Sequence, residues 1–467
     1  MPSGDRKTQA RNRGGREPGI YQAPWERAFD RILTPFEQFV HRETTGGLLL
    51  MAATLLALVV ANSGLADAYH RLVALPIAID IGGWRLEKTL HHWVNDGLMA
   101  LFFFVVGLEL KREILVGELA RPRQAMLPIA AAVGGMVVPV AIYLAFNHGG
   151  DAIRGWGVAM ATDIAFAIGV LVLLAERIPK SLITFLVALA IVDDLGAVLV
   201  IALFYTHELA WGALGLAGLL LAVLVVCNRV GIRQPLPYFI LGALLWLALL
   251  KSGVHATLAG VLTAFTIPAH PKYDPASFSR HVRGLMVRFD ASHHPGQSIM
   301  TNDALRAVVH ALANGVHKVE TPLQRLEHGL HMPVAFLVIP LFAFVNAGIS
   351  LDLSTLGATL SHPVTLGVMF GLVAGKFVGV VGASWLALRL GFGQLPAGTR
   401  FSQITGVGLL AGIGFTMAIF IAELGFEGQP EYLLMAKTGI LFASLLAGVG
   451  GYLWLRNVAG AAPGNAL

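Results

Sequence analysis

Three aspartates, Asp163, Asp193 and Asp194, stand inside apolar segments of a length that suits membrane crossing. Asp163 lies in GWGVAMATDIAFAIGVLVLLAE (155–176), and the adjacent pair lies in SLITFLVALAIVDDLGAVLVIALFY (181–205). Both segments meet the roughly 20 residues that a helix needs to cross a bilayer. An ionised Asp at the centre of such a helix costs on the order of 2.5–3.5 kcal/mol, so three of them this close in sequence imply a use for the charge. Neighbouring residues project about 100° apart on a helix, which lets only one of Asp193 and Asp194 face a narrow cavity squarely. Two ionised carboxylates roughly 6 Å apart repel by about 3 kcal/mol at an effective dielectric near 20. At least one of the pair therefore keeps a proton near neutral pH until a cation arrives. The chemistry is competition between H+ and a metal cation for one carboxylate site at mid-membrane depth.

Thr162 and Asp163 interrupt the first segment, and a second interrupted segment appears downstream in TGVGLLAGIGFTMAIFIAELG (405–425). There Gly412 and Gly414 weaken helix continuity near the centre. Glycines in such a place also serve close helix packing, so the reading as a break rests on their pairing with Asp163 and with Lys376 in FGLVAGKFVGVVG (370–382). Broken helices expose positive N-terminal and negative C-terminal ends inside the membrane, which an Asp and a Lys can neutralise.

The elements that hold these residues follow from composition. The chain has 467 residues, 56% of them hydrophobic and only 13% charged, with a mean hydropathy of +0.70. Soluble domains carry about 25% charged residues, so the chain is a polytopic α-helical membrane protein. Its apolar runs are too long and too continuous for β-barrel strands. One cysteine, Cys227, excludes an internal disulfide framework and a cysteine metal cluster, and reads as a small apolar filler.

Twelve spans are expected, near 44–62, 91–116, 126–147, 155–175, 181–205, 211–229, 235–249, 253–267, 325–348, 364–388, 402–424 and 432–456. The interrupted spans are the fourth and eleventh, corresponding members of two inverted repeats, spans 3–5 and 10–12. Lys and Arg concentrate in alternate loops, including Arg121, Arg123, Arg177, Lys180, Arg229, Arg233, Arg389, Arg400 and Arg456. Loops 206–210, 349–363 and 425–431 hold neither residue. By the positive-inside rule both termini are cytoplasmic. The net charge of +5 belongs to these loops and gives no reason to expect a nucleic-acid partner.

Outside the spans, residues 1–42 form a basic, polar cytoplasmic tail, with a short surface helix over 24–39, and 458–467 form a second tail. The outer loop 63–90 contains a hairpin pattern in which Ile77, Ile79 and Ile81 alternate and Gly82-Gly83 supplies the turn. An isolated hairpin is marginal in water, so it either pairs with a second copy of the chain near 75–88 or packs on its own. The cytoplasmic insertion 268–323 holds an amphipathic helix with Leu305, Val308, Val309, Leu312 and Val316 on one face and Thr301 as its cap. Its His293, His294 and His310 match no metal-site spacing.

Six motifs, NDGLMALFFFVVGLELKREI (95–114), ATDIAFAIGVL (161–171), ALAIVDDLGAVLVIALFYT (188–206), LKSGVHATLAG (250–260), VIPLFAFVNAG (338–348) and GIGFTMAIFIA (412–422), closely resemble the bacterial Na+/H+ antiporter A family, NhaA. The resemblance runs in uninterrupted order over 43–457. It implies a pH-regulated, electrogenic exchange of Na+ or Li+ for H+ across the bacterial inner membrane, in support of salt tolerance and with no resident cofactor. Asp193 and Asp194 resemble the family's cation and proton site, Thr162 and Asp163 its unwound crossing, and Lys376 a mid-membrane lysine that pairs with Asp193. Glu109, Glu113, Glu327, His328 and His331 resemble its cytoplasmic pH-sensing cluster, and His255 a further residue tied to pH response. The hairpin resembles the family's homodimer contact. Segment 268–323 is longer than the family's usual connection and abuts Glu327, so the pH set-point is expected to differ.

Two other classes of membrane protein also carry buried acidic residues. An intramembrane aspartyl protease needs its aspartates on separate helices with a Gly-x-Gly-Asp signature, and that signature does not occur. A passive cation channel shares the acidic site, but a carboxylate that must exchange its proton beside a lysine does not suit open permeation. The chain reads as a transporter and not an enzyme.

Overall fold

The protein is described by a computed structural model that covers residues 43–459 apart from 82–83, 176, 207–208, 272–274, 293–299, 301, 351 and 353. The N-terminal tail with its surface helix, nearly all of the C-terminal tail, the Gly82-Gly83 turn, the Thr301 cap, His293 and His294 lie outside the described residues.

All twelve expected spans are helical. A bilayer interior offers no partner to an open backbone, and long apolar runs satisfy their own amides only as helices. Seven segments are long and apolar enough to cross alone: Pro122–Phe146, Asp151–Val172, Lys180–Phe204, Trp211–Val230, Pro322–Asn346, Pro363–Arg389 and Pro430–Val458. Phe401–Leu410 and Phe415–Gly425 cross as a pair bent by 45°. Span 1 is Glu43–Ala61 and is followed by Ala66–Val73, which turns away by 117°. Span 2 is one continuous helix over 90–116, π-helical at Trp93–Leu98.

Two expectations need correction. Span 8 was expected over 253–267, but its helix covers only Leu258–Thr266. A turn at 251–254 precedes it, with Gly253 at φ 83°, a conformation that glycine adopts without strain. The insertion holds two helices instead of one, Pro275–Ser292 and Asp303–Val319. They pack on each other and bury Leu285, Leu305 and Val308, while Val309 stays exposed. The cap of the second is Asn302, whose Oδ1 accepts from Leu305 N at 3.1 Å. The hairpin forms as expected, with β1 (Pro76–Ile81) antiparallel to β2 (Trp84–Thr89) and Ile79 opposite Leu86.

Spans 3 and 10 lie side by side and antiparallel. A Cβ on Gly379 would meet Gly134 O at 2.1 Å, one on Gly375 would meet Pro139 Cα at 2.7 Å, and one on Gly367 would meet the Tyr143 ring at 3.0 Å. At the far end Asn147 Nδ2 donates to Pro363 O at 3.1 Å. This descending register, 134 to 379 and 147 to 363, is the inverted relation expected of the two repeats. Without a hydrophobic drive between helices in lipid, backbone contact through small residues is what binds such a pair. Gly379→Val is therefore expected to lower stability by about 1–3 kcal/mol or block folding, whereas Gly382→Ala, with nothing within 4 Å of the added atom, should leave the melting temperature unchanged; a thermal melt in detergent compares the two.

Candidate functional site

Spans 4 and 11 both break at the level of the aspartates. In span 4 a 3-10 helix (Asp151–Met160) ends, residues 161–163 are extended, and an α-helix resumes at Ile164–Val172. In span 11 the break falls at 411–414, between Phe401–Leu410 and Phe415–Gly425. The extended pieces cross and bond to each other: Asp163 N donates to Ile413 O at 2.7 Å, and Thr162 Oγ1 donates to Ala411 O at 2.8 Å. Gly412 is needed for this approach, because a Cβ there would meet Leu372 O at 2.5 Å. Gly414 has φ −93°, so its requirement is also space: an added Cβ would meet the Leu372 and Ala418 side chains at 2.9 Å.

Asp163 caps both resumed half-helices. Its Oδ1 accepts from Phe166 N at 2.9 Å, and its Oδ2 accepts from Thr416 N at 2.9 Å and Thr416 Oγ1 at 2.5 Å. One buried carboxylate thereby satisfies orphan amides at two helix N-termini, where the dipole favours negative charge. Thr416 escaped the sequence reading; its signal is a lone hydroxyl two residues after Gly414.

Lys376 does not answer the opposite helix ends, as the sequence reading allowed. Its Nζ donates to Asp193 Oδ2 at 2.6 Å, with neither side chain exposed. A π-helical stretch, Gly371–Gly375, immediately precedes Lys376 and follows the contacts of Gly371 and Gly375 with Pro139 on span 3. Thr162 lies beside Asp193. Asp194 is equally buried, but both of its oxygens lack a hydrogen-bond donor among the described residues. Asp193, Asp163, Glu109 and Lys376 all lie within its electrostatic reach. A carboxylate desolvated without donors is tolerable only when a proton or a cation neutralises it. The arrangement can hold a small cation between adjacent carboxylates, and it can exchange a proton for it.

The resemblance-based pH cluster is only partly assembled. Arg112, missed in the sequence although it abuts Glu113, bridges Glu327 at 3.0 Å and Glu113 at 3.4 Å. His331 Nδ1 is 3.6 Å from Glu109 Oε1, an ion pair only when the imidazole is protonated. Glu113 Oε2 accepts from Glu118 N at 3.0 Å, where the chain leaves span 2. His328 is exposed, with no ion pair to the cluster among the described residues. His255 stands apart: its Nδ1 lies 2.8 Å from Thr257 Oγ1, and its ring packs edge-on against Phe420, centroids 5.5 Å apart.

Two broken helices crossing beside a buried carboxylate–lysine pair, within inverted repeats, define a secondary transporter. The chain matches the Na+/H+ antiporter 1 family over residues 37–455 and belongs to it. It is 58% identical over 436 residues to Na(+)/H(+) antiporter NhaA 1 of Saccharophagus degradans, covering 93% of this chain and 94% of that protein. It is 52% identical over 437 residues to Na(+)/H(+) antiporter NhaA of Sulfurimonas denitrificans, covering 94% and 98%. The rule connecting interrupted helices with the transport site was itself drawn partly from this family.

Removing one member of a buried ion pair leaves the other charge desolvated. Lys376→Met is expected to cost about 3–5 kcal/mol of stability, and Asp193→Asn in the same chain should restore most of it. Unfolding curves in detergent measure both, and identical curves for the single and double variants would count against the pair.

Proposed function

We propose that the protein is an electrogenic, pH-regulated Na+/H+ antiporter of the bacterial inner membrane that also accepts Li+. Asp193 and Asp194 hold the transported cation, and Thr162 and Asp163 shape the unwound crossing beside it. The names and extent of the relatives support the exchange reaction, and the donor-free, buried Asp194 carboxylate beside the Asp193–Lys376 pair is the observation that carries it to these residues. When Na+ reaches the two carboxylates, Asp193 turns from Lys376 to the ion. Lys376, left buried without a counter-charge, gives up its proton, and so does any protonated carboxylate. Binding of protons from the other side reverses both steps. A site that holds either Na+ or protons, and opens alternately to the two faces, couples the fluxes without a resident cofactor.

The concentration of Lys and Arg in alternate loops supports cytoplasmic termini, which puts the hairpin outside and the 268–323 insertion inside. Glu109, which lies 3.6 Å from His331 and within electrostatic reach of Asp194, ties the inner ion pairs to the transport site and is the route by which they adjust activity.

The direct test uses inside-out vesicles with an acidified lumen and a ΔpH dye. Addition of Na+ or Li+ should dissipate the gradient, more strongly at alkaline pH, and Asp194→Asn should abolish the response. No response to either ion in folded wild-type protein would sink the assignment. The hairpin reading has its own measurement. Both strands of β1–β2 keep a free edge among the described residues, and pairing with the same edge of a second copy makes a homodimer. Replacing 76–89 by a flexible linker should shift the detergent-solubilised particle from dimer to monomer in light scattering.

A further inference from the structure

The hairpin end of the bundle carries a second buried carboxylate–lysine pair that the exchange site does not use. Glu423, in the resumed half-helix of span 11, has its Oε1 2.5 Å from Lys437 Nζ of span 12 and 3.4 Å from His91 Nε2 at the start of span 2. The Glu423 and Lys437 side chains are only 11% and 13% exposed. His91 Nε2 also lies 3.0 Å from Asn346 Oδ1 of span 9. Asn95 and Asn346 exchange amide bonds, with Asn346 Nδ2 donating to Asn95 Oδ1 at 2.8 Å and Asn95 Nδ2 donating to Asn346 Oδ1 at 3.3 Å. Beside them Tyr69 Oη donates to Phe344 O at 2.7 Å and pins Ala66–Val73 across the end of span 9.

Between this polar layer and the Asp163–Thr416 level stand three buried rings. Phe420 of span 11 meets Phe103 of span 2 at 5.5 Å and Phe342 of span 9 at 6.2 Å between centroids. None of the three is more than 1% exposed. Both layers join span 11 to spans 2 and 9, and the polar layer adds span 12 through Lys437. In each, span 11 contributes the central residue, Phe420 or, about one turn later, Glu423.

We propose that Glu423 is the latch that holds the outer side of the transport path shut, with the phenyl layer as the plug beneath it. Lys437 fixes Glu423 on the span 11–12 side, and His91, itself within 3.0 Å of Asn346 Oδ1, receives it on the span 2–9 side. Opening to the outside separates Glu423 from His91 and withdraws Phe420 from Phe103 and Phe342, while the Lys437 pair travels with Glu423. The carboxylate therefore stays charge-paired in both positions, which avoids leaving an isolated buried charge during the movement.

This inference rests on the transporter reading and its orientation, but its test reads accessibility and needs no ion flux, so failure of the latch is distinguishable from absence of antiport. In a Cys227→Ala background, the thiol of Ala422→Cys, at a position with no exposure, is labelled by a membrane-impermeant maleimide from outside in right-side-out vesicles. Glu423→Gln should raise the labelling rate roughly tenfold, as should the charge-free pair Glu423→Gln with Lys437→Met, which avoids a stranded lysine; His91→Asn should raise it less. Variants that retain the parent melting profile yet label at the parent rate would overturn the proposal.

Discussion

The fold depends on a carboxylate that terminates two helices at once. Breaking a helix inside a membrane strands amides and carbonyls where no water can reach them, and a chain with two such breaks must answer both sets. Asp163 answers the N-terminal set of each, through Phe166 on its own span and Thr416 on span 11. The crossing backbones take up part of the rest, with Ile413 O and Ala411 O accepting from Asp163 and Thr162. Either break alone would leave these polar groups open; together they bond to each other. The close approach of Gly412 to Leu372 and of Gly379 to Gly134 follows from the need to bring these two spans, and the antiparallel pair supporting them, into backbone contact.

That unit sets the terms for the charges around it. Asp163 is spent on helix ends and one oxygen of Asp193 on Lys376, which leaves Asp193 Oδ1 and both oxygens of Asp194 without a donor among the described residues. Three buried acids beside one buried lysine cannot all be ionised without further positive charge nearby, and a proton or a small cation is the kind of species that supplies it. The division of labour among chemically identical side chains comes from their partners and not from their type. Glu109 extends the same electrostatics toward the end of the bundle opposite the hairpin, where Arg112 meets Glu327 and His331 meets Glu109 itself.

Much of this was legible in one dimension because the membrane restricts what a sequence can mean. Twelve apolar runs become helices, since no other backbone form closes its own hydrogen bonds in lipid, and carboxylates inside those runs must have a use. Asp163, Asp193, Asp194 and Lys376 stood out for that reason, as did the break at Gly412–Gly414. Where the chain leaves the membrane the constraint lapses. The helix Pro275–Ser292 was not expected, because a polar, mixed pattern in water admits several local solutions. Span 8 shortened for a related reason: Gly253 permits a turn that hydropathy does not register.

The sequence by itself determined the class of protein, its helical apolar runs, the acidic residues inside them and the two places where helices fail, each through the cost of polar groups in hydrocarbon. Tertiary structure alone decided the pairing. Whether Lys376 neutralises helix ends or a carboxylate, whether Thr416 shares Asp163, whether Arg112 joins Glu113 to Glu327, and whether Glu423 meets both Lys437 and His91 depend on which helices lie side by side. Residues 183 positions apart in the chain form the Asp193–Lys376 pair. Electrostatic energy depends on distances of a few ångströms and on the water excluded between them, and a linear sequence contains neither quantity.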